Sequence, residues 1–232
     1  MNPKVPEDDG KAFFYESFAS EWDERMDQHE LGKRLRLVFG RLLREEGVRG
    51  KRVLDAGAGT GHFSKALVDR GARLVSMDLG EKLLERVREK CGAETVVGSV
   101  LELPFPDRSF DVVFCTEVIE HTTDPRLAVA ELTRVVAPGG RLVLTVPNRL
   151  WRPAVLVANA LHLRPYLGHE NWVRYGDLRS WIEAAGLQVE LQEGFNPLPH
   201  TFFCRPSFDR LDRIKALHPF MINIAVVARR PG

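Results

Sequence analysis

The stretch VLDAGAGTGH, residues 53–62, decides the fold of this chain. It joins an apolar run to a segment with helical periodicity, and Gly57 and Gly59 allow the backbone to turn tightly and approach a ligand closely. The glycines have GxGxG spacing, and His62 stands where a dinucleotide-binding turn has its third glycine. Asp55 ends the apolar run, and its carboxylate would repel a pyrophosphate but not an ammonium group. The turn therefore favours a cationic ligand over a dinucleotide.

Apolar runs of strand length alternate with segments of helical periodicity from residue 51 onward. The predicted strands are residues 52–56, 73–78, 94–98, 110–115, 141–146, 187–192 and 221–228. The predicted helices are residues 63–70, 81–90, 125–136, 149–163 and 175–185, preceded by two amphipathic helices at 11–25 and 31–46. Residues 138–140 are predicted as a turn, and residues 194–219 as a long loop. The alternation predicts an α/β fold with a parallel sheet and helices on both faces.

The length of 232 residues suits one such domain with short additions. We expect a flexible N-terminus at residues 1–10 and a single domain at residues 11–232. Within it, residues 11–48 form N-terminal helices and residues 149–175 form a lid over the substrate. Aromatic side chains in these two parts, among them Phe14, Trp22 and Trp172, are candidates for substrate contact, although packing on the core is the better explanation for any one of them.

Charge and composition narrow the kind of partner and the compartment. The chain has 33 Lys and Arg against 32 Asp and Glu, which gives no electrostatic footprint for nucleic acid. Cys91, Cys115 and Cys204 lie far apart and have neither disulfide-framework nor metal-site spacing. Since the sequence has neither a secretion signal nor an apolar stretch of roughly 18 residues, we expect a cytoplasmic protein without a membrane span. Its oligomeric state stays open.

Asp78 is a second candidate binding residue, because it ends the next predicted strand about 20 residues after the turn. A carboxylate at that position can accept hydrogen bonds from both hydroxyls of a ribose. The alternative is that Asp78 caps the helix that follows. Its interval from the Gly-rich turn favours ribose binding.

These motifs together resemble the class I S-adenosylmethionine-dependent methyltransferases, from residue 14 to residue 185. VLDAGAGTG is similar to the first motif of that class and SMD to its second. GSVLELPFPDRSFDVVFCTEVIEHTTDP and LTRVVAPGGRLVLTVPN are similar to the motifs that follow. The resemblance implies a Rossmann-like, seven-stranded, mostly parallel sheet and the cofactor S-adenosylmethionine. Within the class, the RLRL, EVIEH and GHENW segments look most like the O-methyltransferases of ubiquinone biosynthesis.

The resemblance also implies where the cofactor lies. The predicted cofactor-binding residues are Arg36, Asp55, Gly57, Ala58, Gly59, Asp78, Leu79, Ser99, Val100 and Thr116. Family members often carry Asp-Ala where this chain has Ser99 and Val100, so the adenine amino group would meet a neutral acceptor here. Arg36 resembles an arginine that binds the methionine carboxylate, but a solvated helix face explains it equally well.

Glu117, Glu120 and His121 form an E-x-x-E-H arrangement after the fourth strand. If this piece turns helically, the three side chains share one face and suit Mg²⁺ or a similar cation. The resemblance to the ubiquinone enzymes implies the same role, because those enzymes use such residues to bind a metal. Two alternatives stay open: His121 acts as a general base without a metal, or the residues only hold the loop together.

The predicted function is methyl transfer from S-adenosylmethionine to a small-molecule acceptor, with a phenolic or similar hydroxyl as the expected group. The sulfonium already activates the methyl group, so the protein has mainly to align the reactants and exclude water. Two rivals are modification of RNA or protein, and cofactor binding without methyl transfer.

Overall fold

A central sheet of seven strands organises the computed structural model, which describes residues 28–43, 47–160, 170–197 and 211–232. The strand order is β3-β2-β1-β4-β5-β7-β6. The strands are β1 Arg52–Ala56, β2 Arg73–Asp78, β3 Glu94–Val97, β4 Phe110–Thr116, β5 Val136–Pro147, β6 Gln188–Phe195 and β7 Asn223–Arg229. Neighbouring strands from β3 to β5 are parallel, whereas β7 runs antiparallel to both β5 and β6. The predicted Rossmann-like, mostly parallel sheet is confirmed.

Helices cover the sheet on both faces. They are α1 Gln28–Leu37, α2 His62–Asp69, α3 Glu81–Cys91, α4 Pro125–Arg134, α5 Arg152–Ala160 and α6 Tyr175–Ala184. A π-helical turn, Val38–Leu42, continues α1, and 3-10 turns lie at Ile119–His121, Arg149–Trp151 and Lys215–Phe220. No helix within these described ranges is long and apolar enough to cross a membrane.

Alternating side chains of each central strand enter two separate cores. Leu54 and Val113 pack in a core on the side of α4 and α6. Val53 and Val112 pack in the opposite core, together with apolar residues of α1, its π-helical turn and α2. Each central strand is therefore buried on both faces, which explains why its sequence is an almost continuous apolar run.

The structure differs from two of the predicted connections. Residues 138–140 do not form a separate turn, because β5 runs from Val136 to Pro147 with a register shift opposite Asp111. Gly140 permits this bulge, since a Cβ atom there would lie 2.8 Å from the carbonyl oxygens of both Ala137 and Asp111. The predicted loop at 194–219 is also interrupted, as Gly194 and Phe195 belong to β6 and a 3-10 turn covers Lys215–Phe220.

Several predicted features lie outside the described residues. They are the helix at 11–25, residues 161–169 of the predicted lid, and residues 198–210 of the predicted loop. The described part of the predicted lid consists of the 3-10 turn Arg149–Trp151, α5 and residues 170–175.

Candidate active site

The predicted cofactor residues of the central strands meet at one edge of the sheet. β1 lies between β2 and β4, and the chain leaves β1 toward one side of the sheet and later returns on the other. The strand order therefore reverses at β1, and a crevice opens at the carboxyl ends of the strands. The Gly-rich turn, Asp78 and Thr116 follow or end β1, β2 and β4. The topology thus brings together residues that are far apart in sequence.

The Gly-rich turn has three glycines in the left-handed region, Gly57, Gly59 and Gly61, with φ values of 81°, 53° and 87°. A Cβ atom on Gly57 would lie 2.2 Å from the side chain of Val118, so no other residue fits there without rearrangement. The space that a Cβ atom of Gly59 would enter is open. Gly57 therefore serves packing within the protein, and Gly59 leaves room above the turn. The sequence interpretation did not assign a conformational role to Gly61.

Asp78 links the turn to the end of β2. One carboxylate oxygen accepts a hydrogen bond from the backbone N–H of Gly59 at 2.8 Å, and the other accepts one from the N–H of Gly80 at 3.1 Å. The helix α3 has Gly80 as its N-cap residue, without a side-chain cap. The alternative role of Asp78 as a helix cap is thus not observed, and ribose binding stays a prediction.

Asp55 is buried at the end of β1, with 2% of its surface exposed. Its carboxylate accepts a hydrogen bond from the Ser64 hydroxyl at 2.6 Å, and the Ser76 hydroxyl in turn donates to Ser64. Burial raises the pKa of Asp55 to about 7, against the lowering effect of the Ser64 hydrogen bond and with a smaller contribution from the charge of Asp78. A cation near Asp55 would favour the ionised form. The predicted contact with an ammonium group stays a prediction.

Ser99 and Val100 lie just beyond the end of β3, and both are 6% exposed. The Ser99 hydroxyl accepts a hydrogen bond from the N–H of Leu101 at 3.2 Å. Gly98 donates its N–H to the carbonyl oxygen of Asp78 at 3.0 Å, so this segment is attached directly to the predicted ribose-binding residue. Leu79, predicted to lie against the adenine, is half-buried.

Glu117 follows β4 with a φ of 54°, in a backbone conformation that is uncommon for a residue other than glycine. One of its carboxylate oxygens accepts a hydrogen bond from the Thr145 hydroxyl at 2.9 Å, and the other accepts one from the Asn223 amide at 2.8 Å. Arg34 of α1 lies 3.7 Å from the second oxygen. Residues from α1, β5 and β7 therefore fix the direction of this carboxylate, and backbone strain at such a position is typical of functional sites.

The helical stacking predicted for Glu117, Glu120 and His121 is not formed, because the 3-10 turn begins at Ile119, two residues after Glu117. Glu120 is 2% exposed, and burial raises the pKa of its carboxyl well above the ordinary value, with the charge of Glu117 as a further cause. Nε2 of His121 lies 3.8 Å from Glu120. Within the described ranges, no group of three or more His, Cys, Asp or Glu side chains is arranged to hold a metal ion. The predicted magnesium ion is therefore not supported.

Arg36, predicted to bind a carboxylate, is exposed on α1, and a Cβ atom on Gly32 would lie 3.3 Å from its guanidinium. It is the neighbouring Arg34 that reaches the end of β4. The sequence interpretation also missed Thr145 and Asn223, since a threonine and an asparagine in apolar strands carry no motif. Their position at the ends of β5 and β7 becomes visible only once the strand order is known.

Comparison with known sequences gives a family match at the same part of the chain. Residues 54–144 match the family model described as "Methyltransferase domain". The ubiquinone biosynthesis O-methyltransferase of Hahella chejuensis is 33% identical over 203 residues, which cover 79% of this chain and 84% of the relative. The protein of the same name from Proteus mirabilis is 29% identical over 212 residues, covering 84% of this chain and 86% of the relative.

Comparison with solved structures gives the same fold. An S-adenosylmethionine-dependent methyltransferase from Mesorhizobium loti superposes with a TM-score of 0.65 at 23% sequence identity. The superposition covers 86% of this chain and 100% of that methyltransferase. The likeness therefore covers most of the chain.

Proposed function

The chain belongs to the S-adenosylmethionine-dependent methyltransferases, and from this premise we propose that it methylates a hydroxyl group of a small molecule in the cytoplasm. A phenolic or similar hydroxyl is the acceptor class that we favour. The observation that carries this proposal is the similarity, over most of the chain, to relatives named for O-methylation.

The residues at the carboxyl edge of the sheet fit the cofactor. The open space above Gly59 leaves room for a ligand next to the turn. Asp78 ends β2 and has a carboxylate that does not cap the next helix, which suits hydrogen bonds from the ribose hydroxyls. Asp55 is a buried carboxyl that a cationic methionine group would ionise. Gly57 and Ala58 would border the ligand, with Leu79, Ser99 and Val100 on its adenine side and Thr116 on its methionine side.

When bound, S-adenosylmethionine supplies a methyl group already activated by the sulfonium charge. The protein has to bring the acceptor oxygen into line with that group and keep water away. We assign acceptor orientation to Glu117, because Thr145 and Asn223 hold its carboxylate in one direction at the end of β4. A fixed carboxylate oxygen can accept a hydrogen bond from a second hydroxyl of the acceptor.

His121 is proposed to take the proton that the acceptor hydroxyl loses. Its side chain is 23% exposed, so the ring is within reach of a ligand, while the neighbouring Glu120 is buried. Burial favours a neutral Glu120, so of these two neighbours His121 is the one that we assign as proton acceptor.

A panel of acceptors tests the proposal. We expect S-adenosylhomocysteine to form with a catechol or a substituted phenol, and not with a primary amine, a thiol or tRNA at moderate salt. His121→Gln should lower the rate with the phenol and flatten its rise with pH, because the proton acceptor is lost. Transfer only to the amine or to tRNA would contradict the proposed acceptor class, and cofactor binding without transfer to any acceptor would contradict a methyltransferase activity. An unchanged pH profile in His121→Gln would remove His121 from the mechanism.

A further inference from the structure

An ion pair at the end of α4 holds the segment that leads into β4. Arg134 and Glu131 lie one turn apart on α4, and the Arg134 guanidinium donates two hydrogen bonds of 2.8 Å to the Glu131 carboxylate. These hydrogen bonds hold the pKa of the Glu131 carboxyl below its ordinary value. The two-point geometry uses the planar fork of arginine, which lysine cannot reproduce.

The pair binds the backbone of residues 103–107 from both sides. Glu131 accepts a hydrogen bond from the N–H of Leu103 at 2.9 Å, and Arg134 donates one to the carbonyl oxygen of the same residue at 3.0 Å. Arg134 also donates to the carbonyl oxygen of Phe105 at 2.9 Å and to the carboxylate of Asp107 at 2.8 Å. One guanidinium therefore fixes the path of the whole segment with charge-assisted hydrogen bonds.

The fixed segment supports the predicted adenine side of the cofactor site. A Cβ atom on Gly98 would lie 3.4 Å from the ring of Pro104, so Pro104 packs closely against the residue that precedes Ser99. The buried side chains of Val100 and Leu103 belong to the same core. A shift of Leu103 would therefore move Pro104 and, through Gly98, the Ser99 hydroxyl.

We propose that Glu131 and Arg134 are positioning residues for adenine recognition, acting through the backbone of Leu103 on the segment that carries Ser99 and Val100. The proposal rests on the cofactor placement given above. The position of the Ser99 hydroxyl matters more than the position of a charged acceptor would, because a neutral hydroxyl gives a useful hydrogen bond only at a narrow range of distances and angles. Ser99 would select the adenine amino group only while the ion pair holds its segment in place.

The test compares two ligands that differ at the adenine amino group alone. Calorimetry would measure the affinity for S-adenosylhomocysteine and for its purine riboside analogue, which has a hydrogen atom in place of that amino group. We expect the wild-type protein to prefer the adenosyl ligand. Arg134→Lys should reduce this preference about tenfold, the equivalent of one hydrogen bond, and Glu131→Gln should reduce it less, because the amide oxygen still accepts from Leu103.

Arg230→Lys is the matched control. Arg230 also donates to two backbone carbonyl groups, those of Thr133 and Val136, and neither of these lies in residues 103–107. We expect it to lower thermal stability without changing the preference between the two ligands, which separates positioning from general destabilisation.

Three results would count against the inference or its premise. An unchanged preference in folded Arg134→Lys and Glu131→Gln would overturn the positioning role. Equal affinity of the wild-type protein for both ligands would overturn it as well, because the amino group would not be recognised. Undiminished binding of S-adenosylhomocysteine by folded Asp78→Ala would instead show that the cofactor placement is wrong, whatever the ion pair does.

Discussion

Asp78 makes hydrogen bonds within the protein in addition to its predicted role toward a ribose. Its oxygens accept from the N–H groups of Gly59 and Gly80, and a carboxylate has further lone pairs for ligand hydroxyls. Asp78→Ala should weaken S-adenosylmethionine binding by about 1–3 kcal/mol, because the hydroxyls lose a charged acceptor. Calorimetry measures this loss.

Asp78→Asn is the control for the shape of the turn, since its amide oxygen still accepts one hydrogen bond. We expect a smaller loss of affinity than with alanine and a thermal stability closer to that of the wild-type protein. A folded Asp78→Ala variant that binds the cofactor normally would mean that the ribose lies elsewhere.

Asp55 makes stability depend on pH in a direction opposite to that of a salt-bridged carboxylate. Its pKa rises from 3.8 to about 7 in the folded protein, so between these values the folded state keeps a proton that the unfolded state has lost. The contribution of Asp55 to the free energy of unfolding is therefore complete below 3.8 and is lost as the pH rises through 7. Asp55→Asn should remove this part of the pH dependence.

Urea denaturation of the wild-type protein and of Asp55→Asn, at several pH values between about 4 and about 8, measures the effect. The difference between the two proteins isolates Asp55 from the other titrating groups. A difference that does not change with pH would mean that Asp55 keeps its ordinary pKa in the folded state.

At the scale of the element, the Gly-rich turn contains two glycines with separable roles. Gly59→Val should abolish cofactor binding, because its side chain enters the open space above the turn. The cost to folding should be limited to the strain of a branched residue at positive φ, about 1–3 kcal/mol. Gly57→Val should instead damage the fold itself, since its Cβ atom would collide with Val118.

Thermal denaturation and cofactor titration of both variants check this separation. Gly57→Ala in a Val118→Ala background is the refined comparison, because it removes the contacts of 2.2 and 2.8 Å with the two γ carbons and leaves the contact of 3.0 Å with the Cβ atom of residue 118 and the strain of the positive φ. If Gly59→Val retains normal cofactor affinity, the turn is not the binding loop.

The sequence was sufficient for elements whose physical signal is local. The Gly-rich turn, the end of β2 at Asp78 and the central strands follow from glycine spacing and from apolar runs buried on both faces. The continuity of β5 through Gly140 did not follow, because Pro-Gly-Gly ordinarily marks a turn, whereas here it forms a bulge fixed by Asp111 on another strand.

Site residues that belong to a sequence motif could be predicted. Residues that reach the site only because the fold brings distant segments together could not. The predicted stacking of Glu117, Glu120 and His121 assumed that a helix begins at Glu117. Glu117 instead has a positive φ, and its carboxylate is held by Thr145 and Asn223. Those partners lie on strands that only the fold brings next to β4. The same is true of Arg134, whose hydrogen bonds reach back to Leu103 and Phe105.

At the scale of the whole molecule, a buried ion pair attaches α1 to a residue near the C-terminal end of the sequence, Asp212. The Lys33 ammonium lies 2.8 Å from the Asp212 carboxylate, and their side chains are only 9% and 10% exposed. The other Asp212 oxygen accepts a hydrogen bond from the backbone N–H of Asn196, just after β6. This pair therefore helps to place the helix that carries Arg34 at the candidate site.

Lys33→Met should reduce the free energy of unfolding by about 3–5 kcal/mol, because it leaves the Asp212 carboxylate buried without its cation. Lys65→Met is a matched control: the Lys65–Asp69 pair has a similar distance of 3.0 Å but side chains that are 53% exposed. Its loss should cost less than about 1 kcal/mol, since water solvates the remaining charge. Denaturant unfolding measures both.

The double variant Lys33→Met with Asp212→Asn decides whether the cost comes from the unpaired charge. Asparagine keeps an oxygen that accepts from Asn196 but removes the charge, so the double variant should be more stable than Lys33→Met alone. If both are equally unstable, the cost of Lys33→Met lies in lost packing of the lysine stem and not in the buried carboxylate. If Lys33→Met behaves like the exposed control, water reaches Asp212 when its partner is removed, and α1 is held in place by its apolar residues instead.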